Sequence, residues 1–245
     1  MNRILLNAAL ATALLLGTST AFAAEVGSYV SPPYFAEAEA KGDLPPVAER
    51  LPEHPSVATM DEPGRQGGEM RMLMASPKDS RILVAYSYAR LVGYDRSYKI
   101  VPDLLESFDV QEGRIFTFHL RKGQKWSNGK AFTAEDFRFW WEDIANNADL
   151  MPAGPPRILL VDGEKPKVEI LDDETVRYSW SKANTDFLPA LAAAGPLYIY
   201  APSKYLKKFH QKYADAAELE EAVKDSGQPS WAALLNRRGN QYRND

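Results

Sequence analysis

A β-hairpin followed by a helix with a defined start is the pattern in this sequence that most narrows the possible folds. Strand-like runs over 107–110 and 114–120 flank Gln111-Glu112-Gly113. Two such runs around a short glycine-containing turn predict a hairpin. Alternating residues of the second run predict one buried face, made of Phe116, Phe118 and Leu120.

The helix after this hairpin has its own start signal. Asn128-Gly129 predicts a turn. Thr133 is a suitable N-cap, and Asp136 three residues later completes a capping box. The helix is predicted to reach about Asn147. Its apolar stripe consists of Phe137, Trp140, Trp141 and Ile144.

Hydrophobic periodicity and capping residues predict further elements along the chain. The predicted strands cover 69–75, 167–171, 175–180 and 197–200. The predicted helices cover 35–41, 81–91, 203–213, 215–225 and 231–238. Another is predicted after Asn184, running through Phe187, Leu188 and Leu191 and closed by Gly195-Pro196. Residues 24–66 are proline-rich and are expected to run extended along a surface, or to hang loose, because proline fixes φ and removes a backbone donor.

The first 23 residues have the layout of a secretory signal peptide. Met1-Asn2-Arg3 is positively charged, Ile4–Leu16 is apolar, and Ala21-Phe22-Ala23 supplies the small residues before a cleavage site. We expect cleavage after Ala23. A membrane anchor is the alternative, but its apolar run would be too short to span a bilayer. No later stretch reads as a membrane span, so a free periplasmic protein is expected.

Composition excludes several functional classes. The 245 residues contain no cysteine, which removes disulfides, thiolate metal sites, cysteine nucleophiles and cysteine-linked lipids. A net charge of −4 gives no electrostatic footprint for nucleic acid. Three histidines make a histidine-rich metal site improbable. No cofactor, metal or nucleic-acid partner is predicted.

No catalytic constellation is present in the sequence. Metalloprotease, nucleotide-binding, nucleophile-elbow and calcium-loop motifs are all missing. Glu135-Asp136 and Glu142-Asp143 are predicted at the first turn and on the outer face of the helix, in water or near its dipole. His119 is predicted to be a packed or surface residue rather than a base. The chain is therefore not expected to be an enzyme.

Lysines and aromatic residues alternate over 203–213, which could suggest a nucleic-acid patch. The aromatic residues recur every four positions, at Tyr205, Phe209 and Tyr213. That spacing predicts a buried helical stripe, with the lysines left in solvent. The lysines are Lys204, Lys207, Lys208 and Lys212.

Three segments of the chain resemble one protein family. Residues 101–108 (VPDLLESF), 116–123 (FTFHLRKG) and 125–137 (KWSNGKAFTAEDF) are similar, in order and spacing, to motifs of the extracytoplasmic solute-binding proteins that serve peptide, nickel and opine ABC transporters. Weaker similarity extends the resemblance to about 67–236. These motif residues also form a turn, a hairpin and a cap, so they identify the fold better than the solute.

The resemblance implies an α/β fold, most of the first lobe of a two-lobed periplasmic binding protein. That lobe has a mixed sheet with an inserted hairpin and helix subdomain. Residues 67–79 and 186–245 would form its core subdomain, and residues 80–185 the inserted subdomain. Members of the family are considerably longer, and the second lobe is missing here. We therefore expect an amino-terminal portion, or a truncated form, of such a protein.

The implied activity is capture of a solute, with a peptide favoured, for delivery to ABC permease subunits by closure of two lobes. By similarity, the cleft would be lined after the first strand by Ala75, Ser76, Pro77, Lys78 and Asp79. Leu150 and Met151 would border the same cleft. The alternative for these residues is an ordinary loop or strand end. The alternative for the chain is a stand-alone interaction or structural module that docks a partner through an open sheet edge.

Overall fold

A computed structural model describes residues 29–58, 61–62, 64–79 and 89–240. The predicted signal peptide and positions 81–88 of the predicted helix over 81–91 lie outside these residues. Leu91 itself lies in a bend rather than a helix. Within the described ranges, no helix has the length and apolar character needed to cross a membrane.

The proline-rich segment contains short helices rather than a continuous extended chain. A 3₁₀ turn at Pro33–Phe35 leads into helix α1 (Ala36–Lys41), which confirms the helix predicted over 35–41. Gly42 ends α1 in the left-handed conformation, with φ of 78°. Helix α2 (Val47–Arg50) follows.

The strand predicted over 69–75 is wrong. These residues adopt no regular structure and lie exposed, with Leu73 fully in solvent. The prediction rested on the alternation of Met70, Met72 and Met74. A strand also needs a neighbour for its backbone groups, and no described strand pairs with this segment.

Two antiparallel sheets are present in the described part of the chain. The smaller one pairs β1 (Val92–Tyr94) with β2 (Ile100–Pro102). The larger one has the order β3-β4-β6-β5. Its strands are β3 (Leu105–Gln111), β4 (Ile115–Leu120), β5 (Lys167–Asp172) and β6 (Thr175–Ser179). Both predicted hairpins are confirmed.

The helices after the first hairpin are mostly short, and the first of them, α3, packs against β5 and β6 of the larger sheet. After helix α3 (Ala134–Phe139) comes a π-helical turn (Trp140–Ala145), and a 3₁₀ turn lies at Arg157–Leu159. The later helices are α4 (Phe187–Ala192), α5 (Ser203–Leu206) with a 3₁₀ turn at Lys207–Phe209, α6 (Ala216–Ser226) and α7 (Trp231–Arg238). The helices predicted over 215–225 and 231–238 are confirmed as α6 and α7, and Asp215 and Ser230 are their N-caps.

The core lies between the larger sheet and these helices. The predicted face of β4 is confirmed, since Phe116, Phe118 and Leu120 are all nearly inaccessible. Val176 and Tyr178 of β6 continue the same layer. Phe187 of α4 packs on this layer, against Phe116 and Phe118. The result is the expected α/β arrangement.

Two predictions after α4 need correction. The strand predicted over 197–200 is irregular, and the backbone N–H of Leu197 donates to Ala190 instead of to a strand. The helix predicted over 203–213 ends at Phe209, because His210 has an extended backbone and its ring accepts a hydrogen bond from the Lys212 N–H. Tyr213 is consequently exposed rather than part of a buried stripe.

Candidate functional site

The segment predicted to bind ligand, residues 75–79, forms a local turn. The Asp79 carboxylate accepts a hydrogen bond from the Ser76 N–H at 2.9 Å, and the Asp79 N–H donates to the Ser76 carbonyl at 3.0 Å. Ala75, Pro77 and Lys78 are exposed. The Ser76 hydroxyl is buried and has no hydrogen-bond partner among the described residues.

Leu150 and Met151, the other predicted site residues, belong to the core of the molecule. Leu150 is 7% exposed and packs with Ala232 and Leu235 of helix α7. Met151 is half-buried and packs against the same cluster. Both backbone N–H groups donate to the Asn147 carbonyl. Their side chains therefore support the fold, and a role beside a ligand stays a prediction.

A cavity of about 570 Å³ opens between the π-helical turn after helix α3 and the end of the described chain. That volume falls within the usual range for small-molecule sites. Most of its walls are apolar and aromatic: Trp126, Trp140, Ile144, Tyr198, Tyr200, Leu206 and Leu235. Asn236 and Asn240 supply polar groups. The sequence did not predict this site, because its walls meet only through tertiary packing.

The aromatic walls of the cavity are held by one another. Phe132 meets Trp126 edge-on at 5.3 Å between ring centroids and meets Tyr200 at 5.2 Å. Phe137 packs on Tyr200 from the core side at 5.4 Å. Burial, together with Tyr198 and Asp103 nearby, raises the pKa of Tyr200. The Tyr200 hydroxyl therefore stays neutral at physiological pH.

Asp136 fixes this wall from inside the protein. The capping box is confirmed: one carboxylate oxygen accepts from the Thr133 N–H at 3.1 Å and also from the Trp126 indole N–H at 2.9 Å. The other oxygen accepts from the N–H and hydroxyl of Ser203, at 2.8 and 2.6 Å. Asp136 is 2% exposed. It joins the Asn-Gly turn, helix α3 and helix α5.

Asp143 is also buried, which corrects the predicted outer face. It is 4% exposed and accepts hydrogen bonds from Lys212 at 2.7 Å, the Tyr213 hydroxyl at 2.6 Å and Arg138 at 3.1 Å. Glu135 meets Arg138 and Lys207 nearby. Lys207 is thus half-buried rather than solvated. The group ties α3 to residues 207–213.

Low pH is expected to lower the folding stability of the protein through the carboxylates of Asp143 and Glu135. Burial alone would raise the pKa of Asp143, but hydrogen bonds from Lys212, Tyr213 and Arg138 outweigh it and hold that pKa low. The Arg138 hydrogen bond likewise lowers the pKa of Glu135. Such carboxylates stabilise the fold above their unfolded-state pKa, and that contribution is lost as pH falls through the folded-state pKa. The free energy of unfolding should therefore decrease as the pH is lowered below about 4.5.

Urea unfolding between pH 3 and pH 7 measures this effect. Asp143→Asn should be less stable at neutral pH and should show a shallower loss of stability in acid. Asp149→Asn, at an exposed position two residues before Met151, is the matched control. An equal acid dependence in Asp143→Asn and in the unchanged protein would contradict the assignment.

The chain was compared with known proteins. Residues 99–226 match the family model described as bacterial extracellular solute-binding proteins, family 5 Middle. The periplasmic alpha-galactoside-binding protein of Rhizobium meliloti is 31% identical over 71% of this chain and 28% of its own length.

Solved structures agree with that match. An oligopeptide-binding protein OppA superposes with a TM-score of 0.77 and 35% identity, over 91% of this chain and 35% of the other. The periplasmic binding protein MelB of Agrobacterium fabrum, in complex with stachyose, gives a TM-score of 0.55 and 26% identity over 84% of this chain and 34% of the other. The chain thus spans about a third or less of the length of these relatives.

Proposed function

We infer a function from one premise, that the chain belongs to family 5 of the bacterial extracellular solute-binding proteins. We propose that it is part of the periplasmic component of an ABC transporter, which captures a solute and delivers it to the permease subunits. We also propose that residues 1–23 are a signal peptide, removed on export.

A peptide is the solute that we propose first. The observation that carries this proposal is the similarity to an oligopeptide-binding protein over 91% of the chain, at a TM-score of 0.77. Residues 69–75 are irregular, exposed and unpaired with any described strand. Unpaired main-chain groups of this kind can bind an extended peptide as an added strand. The adjoining residues 75–79 are the proposed contact region, and we propose that Leu150 and Met151 border the same cleft.

An α-galactoside is the second candidate. It is favoured by the relative from Rhizobium meliloti and by the stachyose complex of MelB. The cavity also offers flat aromatic walls, Trp126 and Trp140, with Asn236 and Asn240 as hydrogen-bonding groups. Such a mixture of apolar surface and a few polar groups suits a small oligosaccharide.

Calorimetric titration of the purified chain with a peptide mixture, and separately with stachyose, tests both candidates. We expect peptide binding weaker than micromolar. Each neutral hydrogen bond contributes about 0.5–1.5 kcal/mol net, and residues 69–75 offer a peptide only a short run of main-chain groups. Sub-micromolar affinity would contradict this expectation. Binding of stachyose alone would favour the second candidate.

A pair of variants locates the peptide site. Ala75→Asp places a charge at the proposed contact region and should weaken peptide binding at least about tenfold. Ala40→Asp, an exposed change in helix α1, should leave it unchanged. If neither variant alters binding, residues 75–79 are not the contact region. If the unchanged chain binds no solute at all, the interaction-module alternative gains support.

A further inference from the structure

Residues 29–54 form a small unit organised around one arginine. The Arg50 guanidinium donates to the Pro45 carbonyl and the Ser31 hydroxyl, each at 2.9 Å, and pairs with Glu39. It also lies 5.4 Å from the centre of the Phe35 ring. Arg50 is half-buried, so these contacts are partly protected from solvent. One side chain thus holds the 3₁₀ turn and helices α1 and α2 together.

This unit docks on the turn at residues 121–125. The Glu53 N–H donates to the Lys122 carbonyl at 3.0 Å, and the Arg121 guanidinium donates to the His54 carbonyl at 3.0 Å. Lys125 donates to the Glu49 carbonyl. Pro52, between them, is buried. These three bonds all use main-chain atoms of the unit, so the backbone conformation of the unit determines whether it can dock on the turn.

Close packing at Gly123 shows how near the two parts lie. Gly123 has φ of +77°, and a Cβ atom there would lie 3.4 Å from the Glu53 nitrogen and 3.7 Å from the Pro52 Cα. Glycine tolerates this backbone conformation without strain. The turn is therefore shaped to accept the unit directly on its main chain.

The docked turn continues into the cavity wall. Trp126 follows this turn immediately, and the backbone N–H of Trp126 donates to the Lys130 carbonyl at 2.8 Å. Arg121 also donates to the Asp103 carbonyl at 3.2 Å, and the Asp103 carboxylate accepts from the Arg90 N–H at 3.0 Å. Arg90 follows Ala89, which lines the cavity beside Trp126. The unit therefore reaches two sides of the cavity.

We propose that residues 29–54 act as a clasp that positions the Trp126 wall of the cavity. Arg50 keeps the clasp in its docking shape, and Arg121 connects it to both walls. Loosening the clasp changes the cavity without unfolding the sheet. The clasp concerns the cavity offered to the second candidate solute and not residues 75–79, and its test below needs no bound solute.

The full chain labelled with 5-fluorotryptophan tests the clasp by fluorine NMR. The five tryptophans give separate probes, and Trp126→Phe assigns the resonance of interest. Arg50→Ala should shift or broaden the Trp126 resonance. Trp180 follows β6, is buried, and donates its indole N–H to the Leu159 carbonyl, so its resonance should not move. Lys41→Ala, which removes only an exposed ion pair within the clasp, is the matched control.

Amide hydrogen exchange gives a second readout. In Arg50→Ala, exchange at Gln124, Trp126 and Phe132 should speed up at least about tenfold, while the amides of β4 and β6 keep their protection. An unchanged Trp126 resonance with unchanged exchange would overturn the proposal, as would equal loss of protection throughout the sheet. If Arg50→Ala does not fold, Lys125→Ala removes one docking bond and should displace the same resonance to a smaller extent; an unmoved resonance there would also overturn it.

Discussion

Asp136→Asn is expected to lower the free energy of unfolding by about 3–4 kcal/mol, a large effect for one substitution. The native carboxylate accepts four hydrogen bonds in a site that is 2% exposed. An asparagine amide turns an NH₂ group toward either the Ser203 donors or the Trp126 and Thr133 donors. Either the Trp126 and Thr133 donors then lose their acceptor, or the buried Ser203 N–H loses its acceptor while the Ser203 hydroxyl turns to accept from the amide.

Urea unfolding followed by circular dichroism measures this loss. Asp149→Asn makes the same chemical change at an exposed position and should cost less than about 0.5 kcal/mol. A double-mutant cycle with Trp126→Phe separates the indole bond from the other three. A loss below about 1 kcal/mol in Asp136→Asn would mean that the carboxylate is not the junction described here.

The parts of the fold that the sequence predicted are those with local causes. The turn at Gln111-Glu112-Gly113, the alternation along β4 and the capping box at Thr133 each act within a few residues. Each of them was confirmed. In such segments, local hydrogen bonds and side-chain periodicity point to the same structure as the tertiary packing does.

The burial of Asp136 and Asp143 has a distant cause. Their partners Ser203, Lys212 and Tyr213 lie about seventy residues later in the chain. Acidic residues early in a helix are ordinarily explained by the helix dipole. That explanation did not require either aspartate to be buried as a hydrogen-bond acceptor. The seven-residue spacing of the two aspartates was the available signal, since it places both on one helical face near buried Phe139 and Trp140.

The errors over 69–75 and 197–200 have a related origin. Alternation predicts which face of a strand would be buried, but not whether a neighbouring strand is present to pair with it. Leu150 shows the same limit for the site. Its apolar side chain fitted a cleft as well as a core, and only the position of helix α7 decides that it packs with Leu235.

Phe187→Ala is expected to be the most destabilising substitution in the core, with a loss of about 3–5 kcal/mol. The ring is fully buried and meets Phe116 and Trp180 edge-on, both at 5.1 Å. It also contacts Tyr178 at 5.4 Å and Phe118 at 5.8 Å. Helix α4 has only six residues, too few to be stable without packing. Losing the ring therefore removes the core contacts and also the packing that stabilises helix α4.

Thermal unfolding separates these two losses. For a chain of this size we expect Phe187→Ala to lower the melting temperature by about 10 °C. Phe187→Leu keeps most of the buried volume and should cost under about 1.5 kcal/mol if burial dominates. If the leucine variant is as unstable as the alanine variant, the edge-on aromatic contacts rather than burial hold α4 on the sheet. If both variants are nearly as stable as the unchanged protein, Phe187 does not anchor α4, and the contacts between this helix and β1 must hold it instead.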